Sequence, residues 1–270
     1  MGKNRGGKIA LNTKKVLILS IALSLLIIVG YYVWKLNSYF SILDERPPYE
    51  CAQHQDDTLR LSMIGDSWTF LHKPHDNYMA NLISNATGKP AKVISCGISR
   101  LSSKEVYRCI YDNDEMEQVL RDGADFCFIS VGINDSNRKM GARYYAHHTL
   151  YIIRFLLQNQ VTPILLELPD YDVAYTFPNQ EMRKVIAGRL SMFFNHSSMD
   201  CLEEYRQLLA KELEREGISQ QVLVVPRTIF RENHFTPDRM HLNGQGYLTL
   251  DSCIANEILT SHSLPLTPHR

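Results

Sequence analysis

Ser67 stands in Gly65-Asp66-Ser67-Trp68, directly after the short apolar run that begins at Leu59. A strand that stops at Gly-Asp-Ser and leads towards a helix puts a hydroxyl at the carboxyl edge of a sheet, where open α/β folds collect their ligands. Gly65 permits a sharp turn, and the amides that follow can face a developing negative charge. A serine becomes a nucleophile only with a base beside it and donors for the oxyanion, so the rest of the chain must supply both. Asp238-Arg239-Met240-His241 can supply the base. In a tight turn the carboxylate folds back onto Nδ1 of the imidazole, fixing its tautomer and leaving Nε2 free to take the serine proton. Gly97 and Asn134 each follow an apolar run, so both should stand at the same edge as Ser67. A glycine there offers an unobstructed amide and an asparagine a side-chain NH₂. With the Ser67 amide they would make three donors for a tetrahedral oxyanion. Each feature alone has an ordinary counterpart: a turn, a helix cap, a hinge, an Asx-turn. Together and in this order they describe one site.

These residues need a sheet to converge. Apolar runs at 59–64, 91–95, 126–131, 161–168 and 221–225 read as strands, and Phe126–Val131 is apolar almost throughout, as a central parallel strand is. Helical spacing recurs over 74–87, 102–121, 142–159, 179–195, 199–216 and from Gly244 to about Ser261, with Ser102 and Glu105 forming a cap region. Strands alternating with helices predict a parallel sheet covered on both faces.

Composition narrows the classes. An apolar content of 44% with 21% charged residues describes a globular protein of 270 residues, with room for one domain of roughly 200 residues plus extras. Basic and acidic residues number 29 each, which gives no case for nucleic acid as a partner. The six cysteines form no CxxC pair and have no zinc-like spacing with histidine. Cys96 and Cys127 read as buried free thiols, while a disulfide involving Cys51 or Cys201 stays open.

The N-terminus is different. Lys3, Arg5, Lys8, Lys14 and Lys15 precede Val16–Trp34, which contains no charged residue. Nineteen helical residues span about 28 Å, close to the ~30 Å of bilayer hydrocarbon. Tyr31, Tyr32 and Trp34 cluster at one end as interfacial aromatics do, and the basic excess before the span predicts a cytoplasmic N-terminus. A cleaved signal peptide is the competing reading, but the run is long and bulky aromatics follow Gly30 where a small-residue cleavage site would be needed. The expected organisation is a basic tail (1–15), a transmembrane helix (16–34), a linker (35–57), the domain (58–262) and a tail (263–270).

The four blocks Gly65-Asp66-Ser67, Gly97, Gly132-Ile133-Asn134-Asp135 and Asp238-Arg239-Met240-His241 together resemble those of the SGNH (GDSL-type) hydrolase superfamily, over about residues 58–260. The resemblance implies a flavodoxin-like three-layer α/β/α sandwich with a five-stranded parallel sheet. It implies Ser67 as nucleophile, His241 as base, Asp238 as its orienter, and Ser67, Gly97 and Asn134 as the oxyanion hole, with no cofactor and no metal. One departure is that many members carry a second glycine soon after the first in block two, where this chain has Ile98-Ser99-Arg100. Helical material at 171–217 exceeds the minimal fold and would form a lid or a wall of the substrate cleft. Trp68, beside the nucleophile, either stacks on a sugar ring or packs in the core. The resulting expectation is a single-pass, membrane-tethered esterase with its catalytic domain outside the cytoplasm, removing acetyl or another short acyl group from a small molecule or glycan. An acyltransferase, a lipolytic esterase and a non-catalytic glycan-binding module are the alternatives.

Overall fold

A computed structural model describes residues 13–195 and 198–263. The basic residues Lys3, Arg5 and Lys8 and the tail 264–270 lie outside the described residues. The chain divides into two compact units, Met1–Ser41 and Ile42–Arg270.

In the first unit, helix α1 (Thr13–Phe40) is apolar on every side, and each side chain described from Lys15 to Lys35 is exposed. Its 26-residue stretch Lys15–Phe40 contains a window of 18 residues with a mean hydropathy of 2.6, enough in length and composition to cross a bilayer, a test that a signal sequence also passes. The helix continues past Trp34, so 35–40 is helical where a linker is expected.

In the second unit, residues 42–57 form an extended strap on the domain instead of a free linker. The Leu43 amide donates to His148 Nε2 (3.1 Å), the Arg46 amide to the Tyr107 hydroxyl (2.6 Å) and the Cys51 amide to Asn159 Oδ1 (2.9 Å). Leu43 and Tyr49 of this region have faces to bury, which Pro47-Pro48 and the mixed polar residues conceal in the sequence.

Five parallel strands follow: β1 (Leu59–Gly65), β2 (Ala91–Gly97), β3 (Phe126–Ser130), β4 (Thr162–Leu166) and β5 (Leu223–Val225), in the spatial order 2-1-3-4-5. Every residue of β3 is buried, as a central strand with helices on both faces requires. The helices are α2 (Ser67–His72), α3 (Asp76–Thr87), α4 (Ser103–Asp112), α5 (Asp114–Arg121), α6 (Ile133–Asn137), α7 (Ala142–Gln158), α8 (Val173–Thr176), α9 (Met182–Asn195), α10 (Leu202–Arg215) and α11 (Gly244–Ser263). The step from β1 to β2 runs one way along the sheet and all later steps run the other. Right-handed crossovers therefore put α3 on the face opposite α4, α7 and α10. Accordingly α3 packs on α11, and α7 packs against both α4 and α10. The 102–121 region is two helices, not one. Asn113 is extended and caps the second, accepting from the Met116 amide at 2.9 Å. The six cysteines are all free thiols, including Cys51 and Cys201.

A buried network ties α2 to its surroundings. His72 meets Asp251 of α11 at 2.6 Å and Ser95 of β2 at 3.3 Å, with Asp76 at 3.4 Å. Burial opposes charge on this imidazole, but Asp251 and Asp76 outweigh it and raise the pKa to about 9. The stabilisation is complete below the ordinary histidine value and is lost as pH rises through about 9. Thermal unfolding of the full chain should show Tm falling between about pH 6.5 and 9, by an amount equivalent to roughly 1–3 kcal/mol. A flat Tm across that window would show that the network holds no proton.

Candidate active site

The sheet order reverses around β1, which separates β2 from β3 and opens a crevice at their carboxyl ends. Glycine at 65 is dictated by contact. A Cβ there would lie 2.2 Å from the Ser130 carbonyl oxygen and 2.3 Å from its hydroxyl. Freed to turn, the chain enters α2 with Asp66 as cap, its carboxylate accepting from the Trp68 amide at 3.0 Å. Ser67 is then the first helical residue, largely buried, with its hydroxyl in the crevice.

The imidazole of His241 arrives from beyond β5. Residues 236–241 close a tight turn in which the Thr236 amide donates to the His241 carbonyl (2.8 Å), with Arg239 in the left-handed region at φ 58°. Asp238 Oδ1 accepts from the amides of Met240 (2.9 Å) and His241 (3.0 Å) and from the Thr236 hydroxyl (2.6 Å). Its Oδ2 accepts from His241 Nδ1 at 2.6 Å. Partial burial works against this carboxylate's charge, yet the His241 ring and the other donors outweigh it and hold the group well below the usual carboxylate range. An ionised Asp238 keeps the proton on Nδ1. Nε2 is therefore the acceptor that faces Ser67 Oγ at 2.9 Å. Ser67, His241 and Asp238 thus form a continuous hydrogen-bonded relay across 174 positions of sequence.

Asn134, the second residue of α6, reaches the same crevice from the end of β3. Its Nδ2 donates to Asp66 Oδ2 at 3.1 Å, which uses one of the two amide hydrogens and sets the direction of the other. Asp66 is fully buried. Burial raises its pKa to about 7, against the Trp68 amide, which favours the charged form. Asp135 turns away and binds the amide (2.8 Å) and hydroxyl (2.5 Å) of Ser103, fixing the start of α4.

One sequence expectation is corrected here. Trp68 is core, with 1% exposure. Its ring lies edge-on to Phe230 at 5.4 Å, and its Nε1 donates to the Met240 carbonyl at 3.1 Å. It braces the histidine turn and offers no face to a ligand. Gly97 is packed against the back of α2, where a Cβ would come within 2.1 Å of the Phe70 nitrogen. That contact concerns its Cα alone. Ser99 and Arg100, two and three residues on, line the cleft, and Arg100 has a left-handed backbone at φ 70°.

The cleft encloses about 640 Å³ and also receives Arg138, Gln180 and Lys184. Gln180 and Lys184 come from the 171–217 region, which therefore contributes a wall, while α10 buries Leu202, Tyr205, Leu209 and Leu213 in the core. Sequence reading missed Arg100, Arg138, Gln180 and Lys184. The departure after Gly97 was the one available signal, since nothing in the spacing of Gln180 or Lys184 points to a cleft.

No family model matches the chain, and no curated protein matches it. Solved structures do. A GDSL-like lipase from Bacteroides thetaiotaomicron superposes with a TM-score of 0.50 at 16% identity, over 75% of this chain and 88% of that one. An esterase from Pseudoalteromonas, in a structure inhibited by monoethylphosphonate, gives 0.50 at 12% identity over 77% and 100%. A variant of an acetyl-xylooligosaccharide esterase from Geobacillus gives 0.50 at 17% identity over 78% and 97%. At these identities the likeness establishes the fold: the second unit has the α/β/α architecture of GDSL-type esterases and lipases.

Proposed function

We propose that the chain is a membrane-tethered serine esterase that removes acetyl or another short acyl group from a carbohydrate. The observation that carries the proposal is the relay itself, Asp238 to His241 at 2.6 Å and His241 to Ser67 at 2.9 Å, opening into a cleft. As Ser67 Oγ attacks the ester carbonyl, its proton passes to His241 Nε2, and Asp238 stabilises the imidazolium that forms. His241 returns the proton to the departing alcohol, leaving an acyl-enzyme. Water, deprotonated by the same nitrogen, then releases the carboxylic acid and restores Ser67. The oxyanion would be held by the Ser67 amide, the free Asn134 Nδ2 hydrogen and an amide of the Gly97–Arg100 turn.

Removing the Asn134 donor should therefore act on the transition state. Asn134→Ala is expected to lower kcat about 10²–10³-fold with KM little changed, measured on an aryl acetate. A change confined to KM would assign Asn134 to ground-state binding instead. The carbohydrate substrate is supported by the acetyl-xylooligosaccharide esterase among the structural neighbours. Tethering is supported by α1, whose apolar surface has the length of a bilayer span, and by the basic residues that precede it. The deciding experiment is turnover of aryl esters of graded chain length by the full chain in detergent, alongside an acetylated oligosaccharide. The expected result is a preference for acetyl to butyryl esters with acetate released from the sugar. A preference for long chains would make it a lipolytic esterase, and transfer of the acyl group to a sugar acceptor in place of water would make it a transferase.

A further inference from the structure

We propose that the ester cleaved at Ser67 belongs to a substrate bearing an anionic oxygen group, a carboxylate or a phosphate, which Arg100 receives in the same cleft. The inference rests on the esterase reading and specifies its substrate class. The chain as a whole is neutral. The cleft is not: Arg100, Arg138 and Lys184 are in its lining, and no carboxylate is. Two of these cations have acidic partners set outside that lining. Arg138 meets Glu105 at 3.1 Å, and Lys184 meets Glu181 at 3.3 Å, a carboxylate that Arg183 shares at 2.6 Å. The Arg100 side chain is exposed, and its guanidinium makes no ion pair among the described residues.

The backbone supplies an independent observation. Arg100 has φ 70°, a conformation that disfavours an L side chain and that glycine adopts freely. The turn is held in it by Arg138, whose Nη2 donates to the Arg100 carbonyl, while the Arg138 partner Glu105 accepts from the Ser102 amide at 2.7 Å. A long cation thus occupies a position where glycine would relax the turn. Strain retained in the wall of a cleft points to a task for the side chain that causes it. A guanidinium there presents a planar fork of donors that matches two oxygens of a carboxylate or phosphate.

The test uses the full chain in detergent and two matched pairs of esters. One pair is an O-acetylated oligogalacturonide and the same oligomer with its carboxylates converted to primary amides. The other is O-acetylated glucose 6-phosphate and O-acetylated glucose. The anionic member of at least one pair should be favoured about tenfold or more in kcat/KM, and the pair that responds identifies the group. That ratio should shrink as salt is raised from about 50 to about 500 mM. It should fall towards unity in Arg100→Gln and Arg100→Gly. The glycine variant relieves the left-handed residue and should melt no lower than the wild type, which separates lost preference from lost folding. Equal kcat/KM within both pairs, or a preference that survives in both variants, overturns the inference and leaves hydrolysis at Ser67 standing. No turnover of any of the four esters overturns both.

Discussion

Ser67→Ala is expected to lower kcat on short-chain esters by about 10⁴–10⁶-fold while leaving Tm essentially unchanged. The size follows from what is removed. The only atom lost is Oγ, which lies 2.9 Å from His241 Nε2 and is the sole hydroxyl in the relay. Nothing else at the amino end of α2 can replace it. Thr69 is engaged with Ser130 at 2.7 Å, and Ser130 lies under Gly65. The cap from Asp66 to the Trp68 amide does not involve the Ser67 side chain, so the helix should form as before. Residual turnover would come from the oxyanion donors and from substrate positioning, which in serine hydrolases amount to roughly 10³–10⁴ over water. Steady-state rates of wild type and variant, with a melting curve for each, check the prediction. Comparable rates would remove Ser67 from the reaction.

Asp238→Asn is the second large effect, with an expected loss of about 10⁴-fold in kcat. The variant keeps an oxygen that can still accept from the Met240 and His241 amides, so the turn should persist. It replaces the atom facing Nδ1 with either an NH₂ group or a weaker acceptor. An NH₂ there forces the imidazole proton onto Nε2, the nitrogen that must accept from Ser67, and the neutral side chain cannot offset the imidazolium charge. Because the His241 ring and its neighbours hold Asp238 ionised far below neutrality, protonation of this carboxylate should not limit the wild-type rate anywhere above about pH 4. An Asp238→Asn enzyme that retained more than about a tenth of wild-type kcat would mean that the tautomer is fixed by something else.

The strands were legible in the sequence for a physical reason. A parallel sheet buried on both faces needs apolar runs, and β3 and β4 are largely such runs, while β1 and β3 each stop shortly before a polar residue of the cleft, Ser67 and Asn134. The hydrogen-bonded relay was legible because a Gly-Asp-Ser stop after one strand and an Asp-x-x-His turn after another leave few places to converge. Contacts that depend on facing surfaces were not legible. Trp68 has the composition of a sugar platform, and only the positions of Phe230 and the Met240 carbonyl make it a brace. That position 97 must be glycine follows from α2, which passes so close that no Cβ fits. The break at Asn113 was hidden because the apolar spacing runs through both helices, and the capping side chain differs little from a surface one. Gln180 and Lys184 enter the cleft from an insertion whose path no local pattern encodes.

The most direct measurement is intact-mass analysis and peptide mapping of the full chain after exposure to a fluorophosphonate. Such a reagent forms a stable adduct only with a serine that has a working base and a place for its oxygen. One adduct per chain, mapped to Ser67 and absent from Ser67→Ala, is the predicted result. A chain that stays unlabelled, or a Ser67→Ala variant that takes up the same mass, would contradict it.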